Sequence, residues 1–86
     1  MMGNKVQLDI VTPERIVYSK HIDMVVTKAA NGEIGVMAKH VPFVSPIIGD
    51  TVRVKNDGSE ETFKISGGFI EVRPDKVTIL AESAEV

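Results

Sequence analysis

Few residues of this chain are of the types that act as nucleophiles, bases or metal ligands. The sequence contains no cysteine, so disulfides and thiolate metal sites are excluded. A hydrolase of the serine type needs a serine beside a base, and Ser66-Gly67-Gly68 is the nearest approach to a serine flanked by glycines. We interpret this segment as a bulge or a tight corner between strands, where glycine permits unusual φ or close backbone approach.

The titratable residues do not form a recognisable catalytic or metal-binding pattern. The two histidines, His21 and His40, lie far apart in the sequence and do not form a His-x-x-x-His pair. Glu60 and Glu61 are adjacent, and adjacent residues of a strand point to opposite faces, so we expect them to be charges on a solvated hairpin. The phosphate-binding loop and the dinucleotide fingerprint are both missing from the sequence. We therefore predict no catalytic residue, no metal and no cofactor.

Charge and aromatic content argue against nucleic acid as a partner. Ten Lys and Arg residues against twelve Asp and Glu residues give a net charge of −2, which is too balanced for strong attraction to phosphates. One Tyr, three Phe and no Trp supply few surfaces on which bases could stack. No apolar run approaches the roughly 18 residues of a spanning helix. We expect no secretion signal, no anchor and no direct membrane insertion.

The composition predicts one small all-β domain covering residues 1–86. Chains of 86 residues form one core, and Val plus Ile number 22 against 7 for Leu plus Ala, which favours strands. Short alternating segments are separated by turns, and the clearest hairpin joins 51–55 to 62–65. This spacing predicts a β-sandwich or flattened barrel of seven to about ten short strands.

Three further segments have local predictions. Asn31-Gly32 is a preferred pair for a two-residue hairpin with positive φ, which would place Glu33 at the tip. Residues 38–50 contain two prolines and are expected to be irregular or at a sheet edge. Residues 82–86 are either the start of a helix or a loose end.

Four segments, taken in chain order, resemble a known family. They are 9–14 (DIVTPE), 32–42 (GEIGVMAKHVP), 66–72 (SGGFIEV) and 77–85 (VTILAESAE). Together they are similar to the N-terminal domain of the epsilon subunit of rotary F-type ATP synthases. The resemblance implies a flattened β-sandwich of two roughly five-stranded sheets, in agreement with the pattern of alternation.

The resemblance also implies a function. The chain is expected to be a non-catalytic central-stalk (rotor) subunit that binds the gamma subunit and the polar loops of the c-ring. It would help couple proton or sodium translocation to ATP synthesis, and it would lie peripherally on the cytoplasmic face of the bacterial cell membrane. The sandwich pattern alone also fits a free-standing β-sandwich adaptor or binding module.

Matching the motifs residue by residue gives two sets of expected contacts. The expected c-ring contacts are Asn31, Gly32 and Glu33. The expected contacts with the gamma subunit are Thr12, His40, Pro42, Phe43 and Ser45. From the residues alone, Glu33 is also explained as a solvated turn charge, His40 is better explained as a loop histidine bonded to nearby backbone, and core packing explains Phe43 equally well.

The chain departs from the family pattern in ways that bear on these contacts. Lys39 stands where the family frequently has glycine, and Phe43 stands where leucine is frequent. The usual subunit continues into a C-terminal helical hairpin that inhibits ATP hydrolysis and, in some members, binds ATP. That hairpin is not present in these 86 residues, so neither property is expected of them.

Overall fold

The computed structural model describes residues 5–39 and 41–86, and the regular elements in these ranges are all strands. They are β1 (Val6–Val11), β2 (Ile16–Ile22), β3 (Met24–Ala29), β4 (Gly32–Val36), β5 (Phe43–Asn56), β6 (Ser59–Val72) and β7 (Lys76–Glu85). They form one sheet in the order β2-β1-β7-β6-β5-β3-β4, in which β1 and β7 are parallel and the other neighbours are antiparallel. Within the described ranges, no helix is long and apolar enough to cross a membrane.

The three long strands fold the sheet over on itself. In β6 the buried side chains are Phe63 and Ile65 before the bend but Ile70 and Val72 after it, so the inward-facing positions change from odd to even numbers. The burial patterns of β5 and β7 change parity in the same way. The three changes lie side by side in the sheet, since 47 is opposite 68 and 66 is opposite 83. The bend is therefore a common line across three strands.

This bend divides seven strands into ten segments in two layers. The first layer contains β2, β1, 76–81 of β7, 68–72 of β6 and 43–47 of β5. The second layer contains β4, β3, 51–56 of β5, 59–65 of β6 and the end of β7. The all-β flattened sandwich is confirmed. The seven strands are at the lower end of the predicted seven to about ten, because three strands continue through the bend, where each loss of alternation imitates a strand end.

The glycines of the bend are required by their surroundings. Gly67 has φ of 52°, in the left-handed region that favours glycine. A Cβ on Gly68 would lie 2.6 Å from the carbonyl oxygen of Leu80 in the neighbouring strand. The register with β7 is the same on both sides of the bend, because Ser66 is opposite Ser83 and Gly68 is opposite Ala81. Ser66-Gly67-Gly68 is thus a tight corner with close backbone approach, as predicted, but it lies within β6 and not between two strands.

The interior between the layers is apolar. Side chains from every strand meet there, and no buried side-chain N or O atom of the described residues lacks a hydrogen-bond partner. The ring of Tyr18 on β2 packs edge-on against Phe63 on β6, with centroids 5.1 Å apart and an interplanar angle of 70°. This contact closes one side of the sandwich, because β2 belongs to the first layer and 59–65 to the second.

Two segments differ from their sequence-based predictions. Much of 38–50, expected to be irregular or at an edge, belongs to β5, an interior strand of the sheet. Pro46 is tolerated there because β3 pairs with this half of β5 only between Ala29 and Ile47, so few ladder bonds are lost. Residues 82–85 continue β7 as a strand on β6 and form neither a helix nor a loose end.

Candidate partner-binding surfaces

The hairpin between β3 and β4 presents the residues expected to meet a c-ring. Its turn consists of Ala30 and Asn31, with Ala29 opposite Gly32 at the base. Positive φ falls on Gly32, at 115°, and not on Asn31, so the predicted turn was placed one residue too late. Glu33 therefore lies in the first part of β4, beside the tip.

The carboxylate of Glu33 is held at an exposed sheet edge. β4 is the last strand of the sheet, and the Glu33 side chain is 67% exposed. Arg53 on β5 reaches it, with Nη2 3.2 Å from Glu33 Oε2, and Nη1 of the same guanidinium lies 3.7 Å from Glu60 Oε2. Sequence reasoning did not single out Arg53. The alternation of segment 51–55 indicated that Arg53 points outward. It could not indicate the partner, because Glu33 lies two strands away in the sheet.

Two of the expected gamma contacts lie below the surface. Ser45 is buried, and its hydroxyl accepts a hydrogen bond from the Ala30 N–H at 3.1 Å and donates one to the Pro46 carbonyl at 2.9 Å. Thr12 is buried at the turn between β1 and β2, where its Oγ1 donates to the Arg15 carbonyl at 3.2 Å. Both hydroxyls thus fix local backbone. Ser45 does so at the tip of the β3–β4 hairpin, and Thr12 does so at the turn between β1 and β2.

Two other expected gamma contacts, Pro42 and Phe43, lie at the start of β5. Pro42 is exposed, and Phe43 is half-buried and packs against the core. His40 lies outside the described residues. Lys39 has φ of 65°, and its N–H donates to the Pro74 carbonyl at 2.8 Å. This left-handed backbone explains physically why glycine would suit the position of Lys39.

An apolar row crosses the whole outer face of the first layer. It consists of one residue from each of five neighbouring segments: Ile16, Val11, Leu80, Phe69 and Pro46. Ile16, Leu80 and Phe69 are 62%, 50% and 54% exposed. Contiguous exposed apolar side chains of this kind mark interaction surfaces, whereas isolated ones do not. Sequence reasoning missed this row because its members come together only through the register of the strands.

An open groove runs beside the centre of this apolar row. Its volume is about 530 Å³, and its lining includes Thr12, Gly68, Phe69, Leu80 and Glu82. The groove lies at the bend, where Gly68 lets two strands approach closely. It could accept an apolar side chain of a partner, with Glu82 as the charged group at its border.

The outer face of the second layer is charged instead. Its outward positions carry four cations and three carboxylates: Lys28, Arg53, Lys55, Lys64, Glu33, Glu60 and Glu85. The two outer faces of the sandwich therefore differ in chemistry, one with an apolar row and one with mixed charge. A module with two such faces can bind two partners of different character at once.

A polar cluster at the other end of the apolar face joins three strands. Asp9 Oδ1 accepts hydrogen bonds from Gln7 Nε2 and Ser19 Oγ, both at 2.8 Å, and Oδ2 lies 3.2 Å from Lys76 Nζ. Burial of Asp9 opposes its ionisation, but the hydrogen bonds from Gln7, Ser19 and Lys76 together outweigh it, so the pKa of Asp9 is lowered. The cluster stabilises the pairing of β1 with β2 and with the parallel strand β7.

The two adjacent glutamates point to different surroundings, as expected from the alternation of a strand. Glu60 faces Arg53, whereas Glu61 acts on Tyr18: burial and, secondarily, the charge of Glu61 raise the pKa of Tyr18.

In the parts of the chain that the structure describes, no group of three or more His, Cys, Asp or Glu residues is arranged to hold a metal ion.

Comparison with known proteins identifies relatives over nearly the whole chain. The profile described as "ATP synthase, Delta/Epsilon chain, beta-sandwich domain" matches residues 5–86. The ATP synthase epsilon chain of Alkalihalophilus pseudofirmus is 49% identical over 81 residues, covering 94% of this chain and 61% of the relative. That of Brevibacillus brevis is 50% identical over 84 residues, covering 96% and 64%. The chain thus spans less than two thirds of the length of these relatives.

Solved structures share the fold at low sequence identity. A chain of the Euglena gracilis mitochondrial ATP synthase superposes with a TM-score of 0.88 at 22% identity, covering 99% of this chain and 55% of that one. A chain of the central stalk and c-ring structure of the Tetrahymena thermophila mitochondrial ATP synthase gives 0.77 at 14% identity, covering 99% and 69%. These likenesses establish the sandwich fold.

Proposed function

Because the chain belongs to the family of ATP synthase delta/epsilon-chain β-sandwich domains, we propose that it is a non-catalytic subunit of an ATP synthase central stalk. In this role it binds the gamma subunit and the polar loops of the c-ring at the cytoplasmic face of a bacterial membrane. It helps couple proton or sodium translocation to ATP synthesis. The names of the bacterial relatives and the central-stalk source of one structural neighbour support this assignment.

The observation that carries the proposal is the apolar row on the first layer. A row that crosses five segments leaves large side chains in water, and covering it with a partner removes apolar surface at about 25 cal/mol per Å². We assign the row and its groove to the gamma subunit. Pro42 is exposed just before this layer begins, Phe43 is half-buried and packs inward against the core, and Thr12 and Ser45 hold local backbone. His40 stays a predicted gamma contact.

The c-ring contact is assigned to the hairpin tip. Asn31 is exposed and Gly32 gives the turn its shape, which leaves Glu33 as the charged contact. The polar loops of a c-ring would supply a cation or hydrogen-bond donor for its carboxylate. An exposed pair of this kind contributes about 0–1 kcal/mol, so Glu33 adjusts docking and does not hold the complex by itself.

The connection between the two surfaces suits a coupling element. β5 runs through both layers, with Pro46 in the apolar row and Arg53 beside Glu33. A tip pushed by a rotating ring would therefore act on the gamma-facing layer through one continuous hydrogen-bonded sheet. Close packing of the core between the layers resists shear of one layer over the other.

Co-elution with a gamma and c-ring subcomplex tests the proposed function. The 86-residue chain should be retained at one copy per subcomplex in size-exclusion chromatography. Retention by gamma alone should persist after removal of the ring. A chain that elutes as a free monomer in both experiments would contradict the proposal and favour the free-standing adaptor.

A further inference from the structure

We propose that Arg53 is a positioning residue for the c-ring contact, holding the Glu33 carboxylate in the orientation in which it meets the ring. This inference rests on the proposed function, since it concerns the same hairpin tip. It adds a residue that is distant in the sequence from the tip and that no motif pointed to.

Arg53 reaches Glu33 across β3, the strand that lies between β5 and β4. Arg53 lies opposite Val26 on β3, and Val26 lies opposite Gly35 on β4. Gly35 has no side chain, and a Cβ there would meet Met24 Sδ at 3.2 Å. The Arg53 guanidinium extends over β3 to Glu33, which precedes Gly35 by two residues on the same outer face.

Lys28 is the nearer cation in the ladder, yet Glu33 pairs with Arg53. Lys28 is directly opposite Glu33 in the register of β3 and β4. The ion pair nevertheless forms with Arg53, whose Nη2 lies 3.2 Å from Glu33 Oε2. A guanidinium carries several donors in a fixed plane, so it can serve two carboxylates at once, whereas an ammonium is a single point charge.

The second carboxylate fixes the guanidinium from the other side. Glu60 on β6 lies 3.7 Å from Arg53 Nη1, so Arg53 is held between β4 and β6. The Arg53 side chain is 36% exposed and that of Glu33 is 67% exposed. The arginine is thus the anchored partner, and the glutamate retains an accessible oxygen for a cation or donor of the ring.

A double-mutant cycle on ring binding tests the role of Arg53. The variants Arg53→Lys, Glu33→Gln and the double variant would be bound, with gamma, to c-rings in detergent, and affinity measured at low and moderate salt. Arg53→Lys keeps the charge but loses the fork, and it should weaken ring binding about two- to fivefold. The same change should have no effect in the Glu33→Gln background, where the carboxylate that Arg53 positions for the ring is gone.

The outcomes separate this inference from the proposed function. If Glu33→Gln leaves ring binding unchanged, the proposed c-ring contact is wrong. If Glu33→Gln weakens binding and Arg53→Lys does not, the contact stands and the positioning role is overturned. An equal loss on Arg53→Lys in both backgrounds would also overturn it, since Arg53 would then act without Glu33. Thermal unfolding of each variant, expected to be unchanged, separates positioning from a general loss of fold.

Discussion

Substitution of Gly68 by alanine should destabilise the domain by overpacking its bend. The added Cβ would lie 2.6 Å from the Leu80 carbonyl oxygen and 3.4 Å from the Ala81 Cα, both in the backbone of the adjacent strand. These atoms cannot move as a flexible side chain can, so the two strands must separate locally. Overpacking of this kind costs about 1–3 kcal/mol.

The expected loss is large enough to measure by thermal unfolding. For a domain of this size, each kcal/mol lowers Tm by about 4–8 °C, so Gly68→Ala should lower Tm by about 4–24 °C. Urea unfolding followed by circular dichroism would give the free energy directly. Ser66→Ala is the matched control, because Ser66 is exposed in the same strand two residues earlier, and its effect should stay within about 0.5 kcal/mol.

The refuting result for Gly68→Ala is a free energy of unfolding within 0.5 kcal/mol of wild type. That outcome would mean that β6 and β7 do not approach each other closely at the bend. The groove beside the apolar row would then have a different shape, because Gly68, Phe69 and Leu80 line it. The prediction therefore tests the geometry of the proposed gamma-facing surface as well as the stability of the fold.

Three further predictions concern single residues. Lys39→Gly should stabilise the domain by about 1 kcal/mol in urea unfolding, since φ is 65° there; destabilisation would argue against the left-handed backbone. Phe63→Ala should cost about 3–5 kcal/mol, because Phe63 is 1% exposed, and a cost below 1 kcal/mol would be inconsistent with its central position. The pKa of Asp9 is lowered from 3.8 in the folded state. The ionised Asp9 carboxylate therefore stabilises the fold fully above about pH 3.8, and this stabilisation is lost as pH falls through the folded pKa. Asp9→Asn should therefore be about 1–3 kcal/mol less stable at pH 7, with the difference shrinking below about pH 4; a pH-independent difference would exclude this linkage.

The sequence was sufficient to predict the elements whose patterns are local. The hairpin predicted between 51–55 and 62–65 is formed by β5 and β6, and its Asp57-Gly58 turn has the positive φ values, 52° and 80°, of a favoured hairpin turn. The Asn31-Gly32 pair placed Glu33 near an exposed tip, and motif resemblance supplied the family. These features depend on neighbours in the chain.

The features that sequence reasoning missed depend on neighbours in the sheet. Pro46 suggested an interruption of the strand. It is tolerated within β5 because β3 pairs with this half of β5 at only one position. The switch of buried parity between Ile65 and Ile70 suggested two strands, whereas one strand crosses the bend. Arg53 and Glu33 are 20 residues apart and meet only because of the order β5-β3-β4. The apolar row likewise requires the register of five segments.

Calorimetric binding of the 86-residue chain to the isolated gamma subunit tests the central claim most directly. Three forms would be compared: wild type, Leu80→Asp in the apolar row, and Ser59→Asp, which places the same charge on the exposed β5–β6 hairpin far from the row. We predict binding by wild type and Ser59→Asp, and at least about tenfold weaker binding by Leu80→Asp, because burying an unpaired carboxylate costs more than 1.4 kcal/mol. Absence of wild-type binding, or equal binding by Leu80→Asp, would contradict the assignment of this face to gamma.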